Sequence, residues 1–162
     1  MEILWAPWRT EYVSSDNKGE CIFCPGEDRS QDEQRLILCI GTLSIILMNK
    51  FPYINGHLLI APLRHISTLN TLSAEEKLDL ITQVEKSIGV LKEVLRPEGF
   101  NIGLNLGRAA GAGVKDHIHF HIVPRWGGDT NYMTVCGEVR VIPEHIQETY
   151  QKLLPFFEKF TT

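Results

Sequence analysis

Asp116-His117-Ile118-His119-Phe120-His121-Ile122-Val123-Pro124 sets three imidazoles at alternate positions. Ile118, Phe120, Ile122 and Val123 are β-branched or aromatic, so the stretch reads as a strand. Side chains on a strand alternate between faces. The three histidines therefore share one face, and Ile118, Phe120 and Ile122 share the other. A helix would not do this, because residues two apart do not face each other. A lone strand histidine is ordinarily a surface or satisfied core residue. Three in alternation carry six ring nitrogens, and each one buried without a partner costs about 1–3 kcal/mol. The pattern marks a functional site. The residues alone leave metal ligation, covalent catalysis, or both, open.

Working outward, Gly107 to Lys115 is a Gly/Ala loop and Phe100 to Leu106 alternates as a fourth strand, the histidine strand being the fifth. Ser73 and Glu76 have the spacing of a capping box and open a long helix. Leu78, Ile81, Val84, Ile88, Leu91 and Leu95 form its expected core stripe, and Glu85, Lys86, Lys92 and Glu93 its wet face. Pro97 and Gly99 end it. Leu36 to Ile40 and Leu43 to Asn49 are two strands around a two-residue turn at Gly41-Thr42. Asn55-Gly56 is another turn, and His57 to Pro62 is a strand buried on both faces. After the histidines, Arg125 to Val135 is a polar loop, with Trp126, Asp129 and Asn131 expected near the site. Pro143 to Phe157 is a second amphipathic helix with Pro143 near its first turn. His145 is expected on its surface. Short hairpin links in this order predict an α+β fold, an antiparallel sheet with helices packed against it.

A chain of 162 residues fits one domain with a real core. Residues 1–20 are expected as an irregular arm, whose Trp5, Pro7 and Trp8 dock on the body or on a second subunit, and residues 21–162 as a single domain. Hydrophobic and charged shares of 43% and 22% are those of an ordinary globule. No apolar run is long enough for a membrane span. Met1 to Arg9 lacks the pattern of a signal peptide, so a cytoplasmic location is expected. A net charge of −4 argues against binding a nucleic acid polymer. A small anion held by local groups stays compatible with it. Cys21 and Cys24 form a C-x-x-C unit. Pro25 and Gly26 follow it, which suits a metal knuckle better than a redox pair opening a helix. Cys39 lies in an apolar strand and is expected in the core. Cys136 receives no role.

The stretch from Gly111 to Asn131, with apolar residues between and after His117, His119 and His121, resembles the histidine triad family. Asn49-Lys50-Phe51-Pro52-Tyr53-Ile54-Asn55-Gly56-His57-Leu58-Leu59-Ile60-Ala61-Pro62-Leu63-Arg64-His65 is similar to that family's second signature. With Cys21 and Cys24 the resemblance covers residues 21 to about 131. The flanks Leu4-Trp5-Ala6-Pro7-Trp8-Arg9 and Pro124-Arg125-Trp126-Gly127-Gly128-Asp129-Thr130-Asn131 look most like the branch containing diadenosine tetraphosphate phosphorylases.

The resemblance implies a homodimeric enzyme, a nucleotidyl hydrolase or transferase, built on a five-stranded half-barrel sheet with two main helices. Its substrate would be a dinucleoside polyphosphate such as diadenosine tetraphosphate, with water or phosphate as acceptor. By family position His119 is the nucleophile, and His121 and His57 bind the phosphate and its developing charge. A neutral imidazole near pH 7 can attack phosphorus without a separate strong base. Asn105, Ala112 and Gly113 would contact phosphate, the last two through main-chain nitrogen in a glycine-rich anion nest. Gly113 stands where many members carry Ser or Gln, so a side-chain donor is missing there; Arg108 and Lys115 are the nearby substitutes. Asn49 matches the position that binds ribose hydroxyls. Cys21, Cys24, His65 and His117 match a structural zinc site of part of the family, a closed tetrahedral set.

Other readings of the same residues are a hydrolase of nucleoside phosphoramidates or related conjugates, and a redox or hydrolytic metal centre on the three strand histidines. A non-catalytic nucleotide-binding module would be marked by a replaced middle histidine, and His119 is intact.

Overall fold

The chain runs β1 (Ile37–Ile40), β2 (Ser44–Met48), β3 (Leu58–Pro62), α1 (Ala74–Leu95), β4 (Gly99–Leu104), β5 (Phe120–Arg125) and α2 (Ile146–Phe157). A computed structural model describes residues 21–114, 116–130 and 142–160. The 1–20 arm, Lys115, Asn131 and Cys136 lie outside the described residues. The five strands form one open sheet in the order β1-β2-β3-β5-β4, every pair antiparallel. The histidine-bearing strand is thus enclosed between two others. This is the α+β architecture expected from the hairpin spacing.

Pairing carries the period-two pattern across strands. Ile122 stands opposite Leu58 and Ile102, and His121 opposite Leu59 and Gly103. Leu58, Ile60 and Ile122 belong to the main core with Leu80, Val84, Leu91, Tyr150, Leu153 and Phe157 from the helices. Leu59 and Ala61 belong to a second core on the opposite face, with Phe23, Ile37, Ile45 and Leu47. The histidine face is therefore the one the helices leave open. Each fully buried aliphatic side chain contributes about 1.5–3 kcal/mol, so both faces of β3 are anchored.

The capping box is formed: Ser73 Oγ accepts from Glu76 N–H at 3.1 Å, and Glu76 Oε2 from Ser73 N–H at 2.8 Å. Arg64 also donates twice to this carboxylate, both at 2.7 Å. The helix phase differs from the apolar stripe. Leu78 and Ile81 are 70% and 54% exposed, while Leu80, Gln83, Val84, Ser87, Val90 and Leu91 face inward. Burying the tethered Glu76 rotates the face, and Gln83, which donates to Asp79, shares it. Arg96, in the left-handed conformation, caps the C-terminus.

Three boundaries also move. Gly41 N–H donates to Ser44 O at 2.8 Å, so the two-residue turn is Thr42-Leu43 rather than Gly41-Thr42. Helix α2 starts at Ile146, past Pro143, and His145 is its N-cap, accepting from Gln147 N–H at 3.3 Å. Strand β5 starts at Phe120, so His117 and His119 precede it. There Ile118 N–H turns to Ile66 O at 2.7 Å instead of a ladder partner. The Asn55-Gly56 turn stands as expected. Gly56 has φ +73°, and a Cβ there would lie 2.4 Å from Leu95 Cδ1, so any side chain would be strained and would displace Leu95. Cys39 is buried, as its apolar strand implied. Among the described residues no helix is long and apolar enough to cross a membrane.

Candidate active site

His57 ends the turn before β3, and His121 lies on β5 beside that strand. Their ring nitrogens meet: His57 Nε2 is 3.0 Å from His121 Nδ1. The proton positions follow from the neighbours. Tyr53 N–H donates to His57 Nδ1 at 3.2 Å. Asn49 Oδ1 accepts from Phe51 N–H at 3.0 Å, so its amide nitrogen faces His57 Nδ1, at 3.2 Å, as a second donor. His57 Nδ1 is therefore an acceptor and Nε2 carries the proton, which it donates to His121 Nδ1. This places the His121 proton on Nε2, a buried atom with no hydrogen-bond partner among the described residues. An unsatisfied buried donor of this kind wants an acceptor such as a phosphate oxygen.

His119 is 6% exposed. Its Nδ1–H donates to the His117 carbonyl at 2.8 Å. The lone pair is then left on Nε2. Its ring centroid is 4.9 Å from that of His121. On another side it stacks on Phe23, at 4.6 Å and 29°. Burial is the main cause that pushes all three imidazoles toward neutrality. His57 falls to about 3, with His121 and His119 adding repulsion. His121 falls to about 4, through burial and then His119. His119 is lowered by burial, against the pull of its bond to the His117 carbonyl. At pH 7 the cluster is uncharged, so one ring offers a lone pair and another a proton donor.

His117 points elsewhere. Its Nε2–H donates to Pro62 O at 2.8 Å, which leaves Nδ1 as the electron-pair donor. Nδ1 lies 3.3 Å from Cys21 Sγ and 3.7 Å from Cys24 Sγ. Cys24 Sγ is 3.3 Å from His65 Nδ1, and the four donor atoms all lie within 4.8 Å of one another. Ligands of a tetrahedral zinc stand about 3.3–3.8 Å apart, given bond lengths of about 2.0–2.3 Å. The donor set and the contacts of 3.3, 3.3 and 3.7 Å fit that ion, and the Pro62 carbonyl is the outer partner that fixes a metal-binding imidazole. Burial, then the adjacent Cys21, push the Cys24 thiol up to about 11. Cys24 thus resists becoming a thiolate beside Cys21 unless a cation lies between them. Arg35 Nη2 braces the knuckle through the carbonyls of Ile22 and Cys24 at 3.0 and 2.9 Å.

The Gly/Ala loop holds a 3-10 turn at Arg108–Ala110. Asn105 Nδ2 reaches Gly111 O at 3.5 Å. Ala112 N–H is turned inward to Gly107 O at 3.3 Å, a long bond that engages one of the two nitrogens expected to face phosphate. Val114, at the loop's end, packs against the second core with Phe23. In the described part of the loop after β5, Trp126 and Asp129 make hydrogen bonds outside the histidine cluster. Trp126 Nε1–H donates to Arg96 O at 3.2 Å, and Asp129 pairs with Arg125 at 2.6 and 2.8 Å. Seven residues of extended chain separate Trp126 from His119, about 20 Å. Two side chains at the site escaped the sequence reading. Phe23 lies between the two cysteines, and Tyr53, inside the second signature, lies against His57 with ring centroids 4.8 Å apart and tilted by 31°. An aromatic within each signature was the available signal.

The chain is 38% identical to an AP-4-A phosphorylase of Mycobacterium tuberculosis, over 94% of its own length and 83% of that protein's. It is 33% identical to the adenosine 5'-monophosphoramidase hnt1 of Schizosaccharomyces pombe, over 65% of the chain and 74% of that protein. A zinc-bound histidine triad family protein from Mycobacterium smegmatis shares the fold, with a TM-score of 0.62 at 24% identity, over 77% of this chain and 85% of that one. The family profile described as HIT domain matches residues 32–128, which span the sheet, the first helix and all three alternating histidines. The chain belongs to the HIT domain family.

Proposed function

We propose that the chain cleaves a dinucleoside polyphosphate, such as diadenosine tetraphosphate, through a nucleotidyl-histidine intermediate on His119. The observation that carries this is the bond from His119 Nδ1–H to the His117 carbonyl at 2.8 Å, which leaves the lone pair on Nε2. That pair attacks the α-phosphorus, and the bond from phosphorus to the leaving phosphate oxygen breaks. The leaving group is itself a phosphate, whose last ionisation lies at about 6, so it departs without a strong acid. This suits a loop with Gly113 in place of a side-chain donor. His121 Nε2–H donates to a non-bridging oxygen as charge develops, and His57 holds His121 in that tautomer. An acceptor then attacks phosphorus, the P–N bond breaks, and the pair returns to Nε2. Asn49 holds ribose, and Asn105, Ala112 and Gly113 line the phosphate path.

Inorganic phosphate as acceptor gives a nucleoside diphosphate, and water gives a monophosphate. The similarity to the mycobacterial AP-4-A phosphorylase favours phosphate. The test is diadenosine tetraphosphate with and without phosphate, with products resolved by chromatography. ADP plus ATP only with phosphate supports the phosphorylase. AMP plus ATP in both arms supports a hydrolase. Cleavage with no adduct on His119 would overturn the mechanism. Similarity to the fission yeast monophosphoramidase keeps a second substrate class, nucleoside phosphoramidates, on the same nucleophile.

Cys21, Cys24, His65 and His117 would hold zinc as a closed, structural site. Those four residues would thereby tie the knuckle to the segment before β5 and leave no open position for substrate. The working unit in this reading is a homodimer. Strand β4 is an edge strand with Asn101, Ile102 and Gly103 exposed. Ile102, Leu106, Leu78 and Ile81 are exposed apolar side chains on β4, just after it and on α1. Such surface favours a partner of the same kind.

A further inference from the structure

We infer that Phe23 is a positioning residue for the nucleophile, so that the metal knuckle holds the reacting ring in place; this rests on His119 being the nucleophile. One hydrogen bond, from Nδ1 to the His117 carbonyl, leaves the His119 imidazole free to rock about that axis. The Phe23 ring closes off one face at 4.6 Å and 29°, nearly parallel. The His121 ring flanks another side at 4.9 Å. Phe23 also meets His117 edge-on at 5.3 Å, so one aromatic ring touches a candidate metal ligand and the nucleophile together.

Phe23 has little freedom of its own. It sits inside a turn closed by Cys24 N–H donating to Cys21 O at 3.0 Å. The two flanking cysteines are candidate ligands of one ion. Its ring is 0% exposed and lies in the second core with Ile37, Ile45, Leu47, Leu59 and Ala61. The same ring therefore excludes water from that face of His119. Loading the Cys21, Cys24, His65 and His117 site thus fixes the turn, the turn fixes Phe23, and Phe23 fixes the plane in which the Nε2 lone pair lies.

The test compares the wild type with Phe23→Leu and Phe23→Tyr, each at measured zinc content. Formation of the nucleotidyl adduct is timed by rapid quench and mass spectrometry. Phe23→Leu is expected to slow adduct formation by about tenfold or more, because small misplacements of a reacting group are costly. Its KM should stay within about threefold of wild type. Phe23→Tyr, which keeps the ring, should recover most of the rate. A second readout needs no turnover. In the wild type the His119 ring proton signals, displaced by the ring current of Phe23, should move toward ordinary values when a chelator strips the metal. Full-rate adduct formation in Phe23→Leu, or His119 signals indifferent to the chelator, would overturn the proposal. A wild type forming no His119 adduct would instead overturn the reaction on which it rests.

Discussion

His57 Nε2 lies 3.0 Å from His121 Nδ1, and this bond leaves the His121 proton on Nε2. Asn49 and the Tyr53 N–H hold one end, and the His121 Nε2–H, without a partner among the described residues, is the other. Asn49→Ala removes one of the two donors to His57 Nδ1. A lost hydrogen bond of about 1 kcal/mol lowers kcat about fivefold. A role confined to ribose would raise KM alone. Steady-state kinetics on diadenosine tetraphosphate separate the two, and both changes are expected.

Buried neutral histidines make stability depend on pH. The folded values of His57 and His121 are about 3 and about 4, below the unfolded value near 6.5. Between those limits the unfolded chain binds more protons than the folded one, so stability falls as pH falls from 6.5 toward 4. Between pH 7 and pH 5 the loss is about 2–4 kcal/mol for the pair. Urea unfolding at the two pH values measures it. His57→Gln should lose about half of this dependence; an unchanged difference would show that His57 is not the buried base.

His119→Ala removes the proposed attacking atom. The nucleotidyl adduct should vanish, and kcat should fall by about a thousandfold or more. In the wild type, burial lowers the His119 value beneath the usual 6.5. The acid limb of kcat/KM should therefore lie below pH 6.5 rather than at it. A limb above pH 6.5 would contradict a desolvated nucleophile.

Cys24→Ser is expected to bind less than one zinc per chain where the wild type binds one. The loss should lower the melting temperature by roughly 5–10 °C, as about 3 kcal/mol does in a chain of this size. Elemental analysis and calorimetry on the same samples give both numbers. A metal-free wild type with an unchanged melting point would remove the zinc assignment.

Ile81→Glu and Ile102→Glu place a charge on exposed apolar positions of α1 and β4. Light scattering should show a dimer in the wild type and a monomer at low micromolar concentration in the double variant. Each fold should persist, because neither side chain belongs to the core.

The element order, the capping box of Ser73 and Glu76, and the three alternating histidines were all legible from periodicity. Each depends on local chain geometry. The inward face of α1 was not, because three of its members, Glu76, Gln83 and Ser87, are polar, and a stripe of apolar residues cannot register them. The start of β5 was not, because the ladder stops where a partner stops, and only the pairing of Ile60 with Phe120 reveals that. The candidate zinc set was legible only through resemblance: Cys21 and His117 are ninety-six positions apart. The contact between Phe23 and His119 was marked in the sequence only by an aromatic residue between the two cysteines, which reads as an ordinary core side chain.

Opposite faces of β3 and β5 carry different duties. Leu58, Ile60 and Ile122 look toward the helices, while Leu59 and His121 look toward the histidine cluster. Selection can thus retune what the chain reacts with by changing one parity of these strands and leave the other parity untouched. A scaffold wired in this way lets kindred enzymes diverge in chemistry without renegotiating how they fold.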